Sequence, residues 1–234
     1  MHITANFDAG NIDVINVEDK NDIQLAIRPD VGEEFFQWFN FRLSGEVGEQ
    51  YVLNIMNAGE ASYLEGWEDY QAVASYDRQH WFRLPTAYKD GKLTIVAELE
   101  CGTMQIAYFA PYSYERHQDL LAAVQMHPLV TLEHLGETLD KRDLTLVKIG
   151  DGAAHKRNIW ITARQHPGET MAEWLVEGLL YSLLDSDNAT AKQLLDKANF
   201  YIVPNMNPDG SVRGHLRTNA VGTNLNREWQ SPSL

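Results

Sequence analysis

The sequence predicts two domains of different class: an antiparallel β-sandwich, followed by an α/β domain with a mixed sheet that is incomplete at its C-terminus. Up to about Tyr108, short β-branched and aromatic runs alternate with turn signals at regular spacing, which is typical of a sandwich. Further on, short apolar runs alternate with helical patterns, which indicates an α/β layer. Because the composition changes near Pro111, we place the domains at residues 1–110 and 111–234.

The first domain is predicted to contain nine strands, separated by turn signals such as Asp8-Ala9-Gly10. They are residues 3–7, 12–17, 23–27, 35–43, 51–56, 72–76, 80–84, 92–98 and 104–108. The aromatic residues of these strands are predicted to form the core rather than a ligand site. They include Trp38, Phe39, Phe41, Tyr51 and Trp81.

The second domain should begin with a helix that Ser113 caps, since Leu120, Leu121 and Val124 follow at helical spacing. Strands are predicted at residues 132–139, 143–149, 158–163 and 200–203, and helices at 169–184 and 188–198. The buried stripe of the longer helix is predicted to be Met171, Trp174, Leu175, Gly178, Leu179 and Leu183. Asn207-Pro208-Asp209-Gly210, taken alone, indicates a turn.

Composition excludes several classes of function. The chain has 234 residues, 44% of them hydrophobic, which is enough for a packed core. Its net charge of −14, without a cluster of Lys and Arg, argues against a nucleic-acid partner. No apolar run approaches the roughly 18 residues of a membrane helix, and the N-terminus does not have the pattern of a signal peptide. We therefore expect a cytoplasmic protein without a membrane partner.

A candidate metal site lies at His166-Pro167-Gly168-Glu169, where an apolar run gives way to a helical pattern. Proline favours the first helical position and the residue before it avoids helical geometry, so His166 should close a strand and Glu169 should lie in the first helical turn. Both side chains are ordinary zinc ligands and can reach one cation. The alternative is a histidine at a strand end and a glutamate that only stabilises a helix N-terminus.

A second candidate cluster follows residue 210. Arg213, Arg217 and Arg227 lie in a segment without an acidic residue until Glu228, which suggests that an anion binds there. Asn226 and Arg227 could hold a terminal carboxylate while Arg217 faces a polarised carbonyl. Alternatively, these arginines pair with surface acids. Ligands collect beyond the carboxyl ends of strands in α/β sheets, so the loops at His166 and at residues 204–210 should share one edge.

Four motifs resemble, in their order and separation, those of the zinc metallocarboxypeptidase family. They are His166 to Glu169, Asn207 to Gly210, Gly214-His-Leu-Arg217 and Asn224-Leu-Asn-Arg227. The resemblance is to its cytosolic carboxypeptidase subfamily, of the bacterial type, and covers the whole chain. It implies a β-sandwich before a catalytic α/β domain, and a hydrolase that acts on the C-termini of peptides or proteins.

The resemblance also implies roles for individual residues. His166 and Glu169 would be two ligands of one zinc ion per chain. Arg217 would stabilise the oxyanion of the tetrahedral intermediate, and Asn226 and Arg227 would bind the terminal carboxylate of the substrate.

The family also uses a third ligand, a later histidine, and a glutamate that acts as general base. No other histidine of this sequence, His215 included, stands where that ligand belongs. We therefore expect both residues to lie beyond residue 234, in a longer protein of which this chain is the front part. Two alternatives stay open: a related zinc amidohydrolase that deacylates N-acyl amino acids, and an inactive module that binds C-termini. The oligomeric state is not predicted.

Overall fold

The computed structural model describes residues 1–32 and 35–230, so the predicted second domain is described only up to residue 230. It shows a β-rich N-terminal domain with two five-stranded sheets, followed by a domain in which helices pack on a four-stranded mixed sheet. Each domain has its own apolar core. The predicted fold class is confirmed.

The first sheet of the sandwich has the order β1-β4-β10-β6-β7. Its strands are β1 His2–Thr4, β4 Asn40–Ser44, β6 Val73–Ser75, β7 Phe82–Arg83 and β10 Thr103–Ala107. The second sheet has the order β2-β3-β5-β9-β8. Its strands are β2 Asp13–Asn16, β3 Ile23–Ala26, β5 Gln50–Ile55, β8 Thr86–Lys89 and β9 Lys92–Glu98. All of these pairs are antiparallel except β3 with β5, which is parallel, and β8 was not predicted from the sequence.

The core of the sandwich follows the period of two that a half-buried strand requires, as in β9, where Leu93, Ile95 and Ala97 are fully buried. The predicted aromatic core is found for Trp38, Phe39, Phe41 and Tyr51. Trp81 is an exception: it lines a cavity of about 600 Å³ between the two domains, and it is not part of the apolar cluster.

The α/β domain has the sheet order β11-β12-β14-β13, formed by β11 Val130–Glu137, β12 Asp143–Ile149, β13 Arg157–Thr162 and β14 Ala198–Val203. The first two pairs are antiparallel, whereas β13 and β14 are parallel. The helices are α1 Tyr114–Val124, α2 Met171–Leu184, α3 Ala189–Leu195 and α4 Pro208–Arg213. As predicted, the Ser113 side chain caps α1 by accepting a hydrogen bond from the Arg116 amide. No helix in the described part of the chain has the length and hydrophobicity to cross a membrane.

Helix α2 differs from its prediction in which face it buries. Its fully buried positions are Glu173, Val176, Leu180 and Leu183, whereas Leu175 is 67% exposed. Met171 is 47% exposed. The predicted stripe was therefore wrong at these two positions and at Gly178, which is exposed as well, because the helix carries apolar residues on almost every side and their spacing alone does not select one face.

The prediction of a simple turn at Asn207 was also wrong. Asn207 is the N-cap of α4: its side-chain oxygen accepts a hydrogen bond from the Gly210 amide, and Pro208 occupies the first turn. The helix ends at Gly214, whose φ of +73° is the left-handed conformation of a C-cap.

Candidate active site

The carboxyl ends of β13 and β14 meet at one edge of the sheet. The two strands pair in parallel up to Thr162 and Val203, and the amide of Met206 continues this contact by donating to the Ala163 carbonyl at 2.9 Å. The loops that leave these strands are therefore neighbours, as predicted from the sequence.

The residues His166 and Glu169 lie in a turn on that edge. The expectation that His166 closes the strand and that Glu169 lies in the first helical turn was wrong: β13 ends at Thr162, and α2 begins at Met171. Instead, the Glu169 amide donates to the His166 carbonyl at 3.1 Å. This turn nevertheless brings the two side chains together, with His166 Nδ1 3.0 Å from Glu169 Oε1.

This pair fits two ligands of one zinc ion. At ligand distances of about 2.0–2.2 Å, two ligands of a tetrahedral zinc are separated by about 3.4 Å, which is close to the observed spacing. His166 is buried, and its Nε2 has no hydrogen-bond partner among the described residues. Glu169, by contrast, is half exposed and accessible.

A third ligand is not found in residues 1–32 and 35–230, where no group of three His, Cys, Asp or Glu side chains could hold a metal ion. His215 is buried, and its Nδ1 faces the Thr218 carbonyl at 3.1 Å. The described residues thus contain two candidates for the three protein ligands that catalytic zinc sites use.

A buried ionic network lies behind the His166 turn. The Arg164 guanidinium, 1% exposed, donates to Glu173 Oε2 at 2.8 Å and to the Pro167 carbonyl at 3.1 Å. Glu173 also faces His117 Nδ1 at 2.6 Å and accepts from Asn205 Nδ2 at 3.1 Å. Arg164 therefore ties the turn to α2. Glu173 was not predicted as a site residue, because a charged residue in a helix is normally predicted to face solvent.

The loop after β14 is held to the same turn by Asn207. Its side-chain nitrogen donates to the carbonyls of Gln165, at 3.3 Å, and Thr218, at 3.2 Å. A side chain at Gly210 would clash with Pro167 and Thr218, because a Cβ there would lie 2.6 Å and 2.4 Å from their atoms. The motif from Asn207 to Gly210 is thus a frame for the neighbouring segments.

The three arginines after residue 210 have different environments. Arg213 forms a two-bond ion pair with Asp140, at 2.8 and 2.7 Å, so the alternative interpretation, pairing with an acid, applies to this residue. Arg217 and Arg227 line one cavity of about 340 Å³ with Phe35, and in the described part of the chain neither forms an ion pair with a carboxylate. As far as the described residues go, both cations are therefore available to an anion.

Asn226 lies next to this cavity, in the 3₁₀ helix Leu225–Arg227, but it does not line it. The Asn226 side chain is exposed, and the backbone amide of Asn226 donates to Asn224 Oδ1 at 3.2 Å. Arg227 is exposed too, and its guanidinium donates to the Asn226 carbonyl.

The segment that carries Arg217 is in direct contact with the turn from His166 to Glu169. The amide of Gly168 donates to the Leu216 carbonyl at 2.9 Å, and a Cβ on Gly168 would lie 3.0 Å from the Leu216 side chain. Two potential zinc ligands and an arginine thus lie on adjacent segments. A metal ion and an arginine are both groups that can stabilise negative charge on a bound molecule.

Both halves of the chain match known protein families. Residues 3–109 match the cytosolic carboxypeptidase N-terminal domain, and residues 117–233, half of the chain, match the zinc carboxypeptidase family. The chain belongs to the zinc carboxypeptidase family, and the resemblance found in its motifs is confirmed.

Individual relatives extend over the whole chain. An uncharacterized protein of Zymomonas mobilis is 49% identical over 233 residues, which are 100% of this chain and 60% of the relative. A crystal structure from Shewanella denitrificans is 74% identical, with a TM-score of 0.98, over 100% of this chain and 62% of that one. A metallo-carboxypeptidase from Pseudomonas aeruginosa, in complex with (2-guanidinoethylmercapto)succinic acid, is 44% identical, with a TM-score of 0.94 and the same coverage. The chain thus spans about three-fifths of the length of these relatives.

Proposed function

We propose that this protein is a zinc-dependent carboxypeptidase that removes the C-terminal residue of peptides or proteins. The observation that carries the proposal is the hydrogen bond between Gly168 and Leu216, which places the turn of His166 and Glu169 beside the loop of Arg217. We also propose a cytoplasmic location, because the matched N-terminal model is that of cytosolic carboxypeptidases.

His166 and Glu169 would hold one zinc ion per chain. Bound zinc polarises a carbonyl group and lowers the pKa of a water to about 7. Because His166 is buried and its turn is held by Arg164, the imidazole would keep its orientation even before zinc binds.

Arg227, with the adjacent Asn226, would bind the terminal carboxylate of the substrate. A guanidinium matches the two oxygens of a carboxylate, and this preference would make the enzyme an exopeptidase. The ligand of the Pseudomonas aeruginosa relative is a succinic acid derivative, which carries two carboxyl groups, and this chemistry agrees with an anionic substrate end.

Arg217 would stabilise the negative charge that develops on the scissile carbonyl. It lines the same cavity as Arg227 and has no carboxylate partner in residues 1–32 and 35–230 to neutralise it. A donor aimed at such a charge commonly contributes about 3 kcal/mol to the transition state.

The test is an assay of the protein, expressed from its native reading frame, on a blocked dipeptide with a free carboxylate, the same peptide as its amide, and an N-acyl amino acid. We expect cleavage only of the dipeptide that has a free carboxylate. Turnover should be lost with a chelator or with His166→Ala, and adding Zn²⁺ should restore turnover to the chelated wild type. Preferred cleavage of the N-acyl amino acid would instead support an amidohydrolase. Peptide binding that is unaffected by chelator and by His166→Ala, without turnover, would indicate an inactive binding module.

A further inference from the structure

Asp30 of the N-terminal domain is buried against the loop that carries Arg217. Only 2% of Asp30 is exposed, and its Oδ1 accepts a hydrogen bond from the Leu216 amide at 2.6 Å. Its Oδ2 accepts from the amides of Arg217 and Thr218, both at 2.8 Å, and from the Thr218 hydroxyl at 3.1 Å. Three successive backbone amides thus converge on one carboxylate, in the manner of an anion-binding nest.

The same segment of the N-terminal domain contacts the Arg217 side chain. The Phe35 ring lies 5.7 Å from the guanidinium carbon of Arg217, and Phe35 also lines the cavity that Arg217 and Arg227 share. The Asp30 amide donates to the Phe35 carbonyl at 2.8 Å, so the two residues that make these contacts are hydrogen-bonded to each other. The backbone and the side chain of Arg217 are therefore both held by the sandwich.

Other contacts of the sandwich fix the beginning and the end of this loop. Asn11 Nδ2 donates to the Gly214 carbonyl at 2.9 Å, and a Cβ on Gly222 would lie 2.5 Å from the Val31 carbonyl oxygen. The loop from residue 214 to residue 222 is thus shaped by the N-terminal domain along its length.

We propose that the N-terminal β-sandwich is a working part of the active site, in which Asp30 is a positioning residue for Arg217 and Phe35 forms a wall of the substrate cavity. The proposal rests on the function proposed above. Its physical basis is preorganisation: an oxyanion donor is effective only when it is already in place, and a displacement of about 1 Å can lower the rate by about two orders of magnitude.

The test combines Asp30→Asn, Arg217→Ala and the double variant in the full-length, zinc-loaded protein, with the blocked dipeptide as substrate. The asparagine side chain would keep one acceptor oxygen, but its NH2 group would replace the other. This donor would face the donating backbone amides of the loop and repel them, so the loop should lose its position. We expect kcat to fall about tenfold or more while bound zinc is unchanged. In the Arg217→Ala background, Asp30→Asn should lower kcat no further, because Asp30 acts through Arg217.

Phe35→Leu is a milder variant that removes the ring but keeps the apolar wall. A cation–π contact at an exposed site corresponds to about a two- to fivefold change in kcat/KM, and this change should also disappear in the Arg217→Ala background. The control is Asp22→Asn, which alters a carboxylate of the same domain that bonds only to Asn54 and Gln24 in the described structure. It should leave kcat unchanged.

Hydrogen exchange of residues 211–223 separates this proposal from the proposed function. Asp30→Asn, or Thr218→Val if the former does not fold, should speed exchange of the Arg217 and Thr218 amides, and Asp22→Asn should not. Unchanged exchange, or an effect of Asp30→Asn on kcat that adds fully to that of Arg217→Ala, would overturn the role of Asp30. Faster exchange together with a fully active Arg217→Ala variant would instead remove Arg217 from the proposed mechanism and leave Asp30 as the residue that holds the loop.

Discussion

Replacing Glu173 by alanine should lower the free energy of unfolding of the α/β domain more than the loss of an exposed ion pair would. The Glu173 carboxylate is fully buried and lies 2.8 Å from the Arg164 guanidinium, which is itself 1% exposed. Its removal would leave Arg164 as a buried charge without a counter-charge, and would also remove one of the two acceptors of the Asn205 side-chain nitrogen. Breaking one partner of a buried pair costs about 3–5 kcal/mol, a large share of the 5–15 kcal/mol of a typical domain.

Urea denaturation followed by circular dichroism measures this loss. Glu133→Ala is the control, because Glu133 pairs with Lys148 at 3.0 Å on the surface, where such pairs contribute about 1 kcal/mol or less. If Glu173→Ala does not fold, Glu173→Gln, which keeps the shape and one acceptor, should still lose more than the control. Equal losses for the Glu173 and Glu133 variants would refute the reasoning that the buried network stabilises the α/β domain.

Two further predictions concern backbone and charge. Gly214→Ala should lower the melting temperature, since φ is +73° at this position and the new Cβ would lie 2.9 Å from the Gly10 carbonyl oxygen. Gly178→Ala in α2 should instead raise the free energy of unfolding by about 0.5–1 kcal/mol, because nothing lies within 4 Å of the new Cβ. The hydrogen bonds from Arg213 hold the pKa of Asp140 below its ordinary value of 3.8. This stabilisation is complete above that value and is lost as the pH falls through the lower folded pKa, so Asp140→Asn should flatten the fall of the melting temperature below about pH 4; an unchanged slope would contradict this role.

Local patterns predicted most of the elements. The β-branched run at residues 92–98 predicted β9, and Ser113 predicted the cap of α1; both are found, because neighbouring residues decide these features. The face that α2 buries was predicted wrongly at Leu175, and the cap at Asn207 was interpreted as a turn, because tertiary packing decides both. The boundary at residue 110 stays a prediction.

The candidate site was predicted only in part. His166 and Glu169 were identified from their spacing, and the structure brings them together. Their role as zinc ligands stays a prediction, as do the roles of Arg217, Asn226 and Arg227. Asp30 gave no signal in the sequence, because its partners at Leu216 to Thr218 are 186 to 188 positions away and no local pattern records such a contact. Phe35 was predicted to begin a strand at residues 35–43, because it opens an aromatic run; this bound was wrong, since β4 begins at Asn40.

The contact between Asp30 and the loop of Arg217 has a consequence for the order of folding. Contacts so distant along the chain form late, since the closure of a long loop is entropically unfavourable before other structure exists. During synthesis the N-terminal domain emerges and folds first, so its surface is already formed when residues 216–218 leave the ribosome. We therefore expect the loop to take its final conformation in the last folding step, against the N-terminal domain that has already folded.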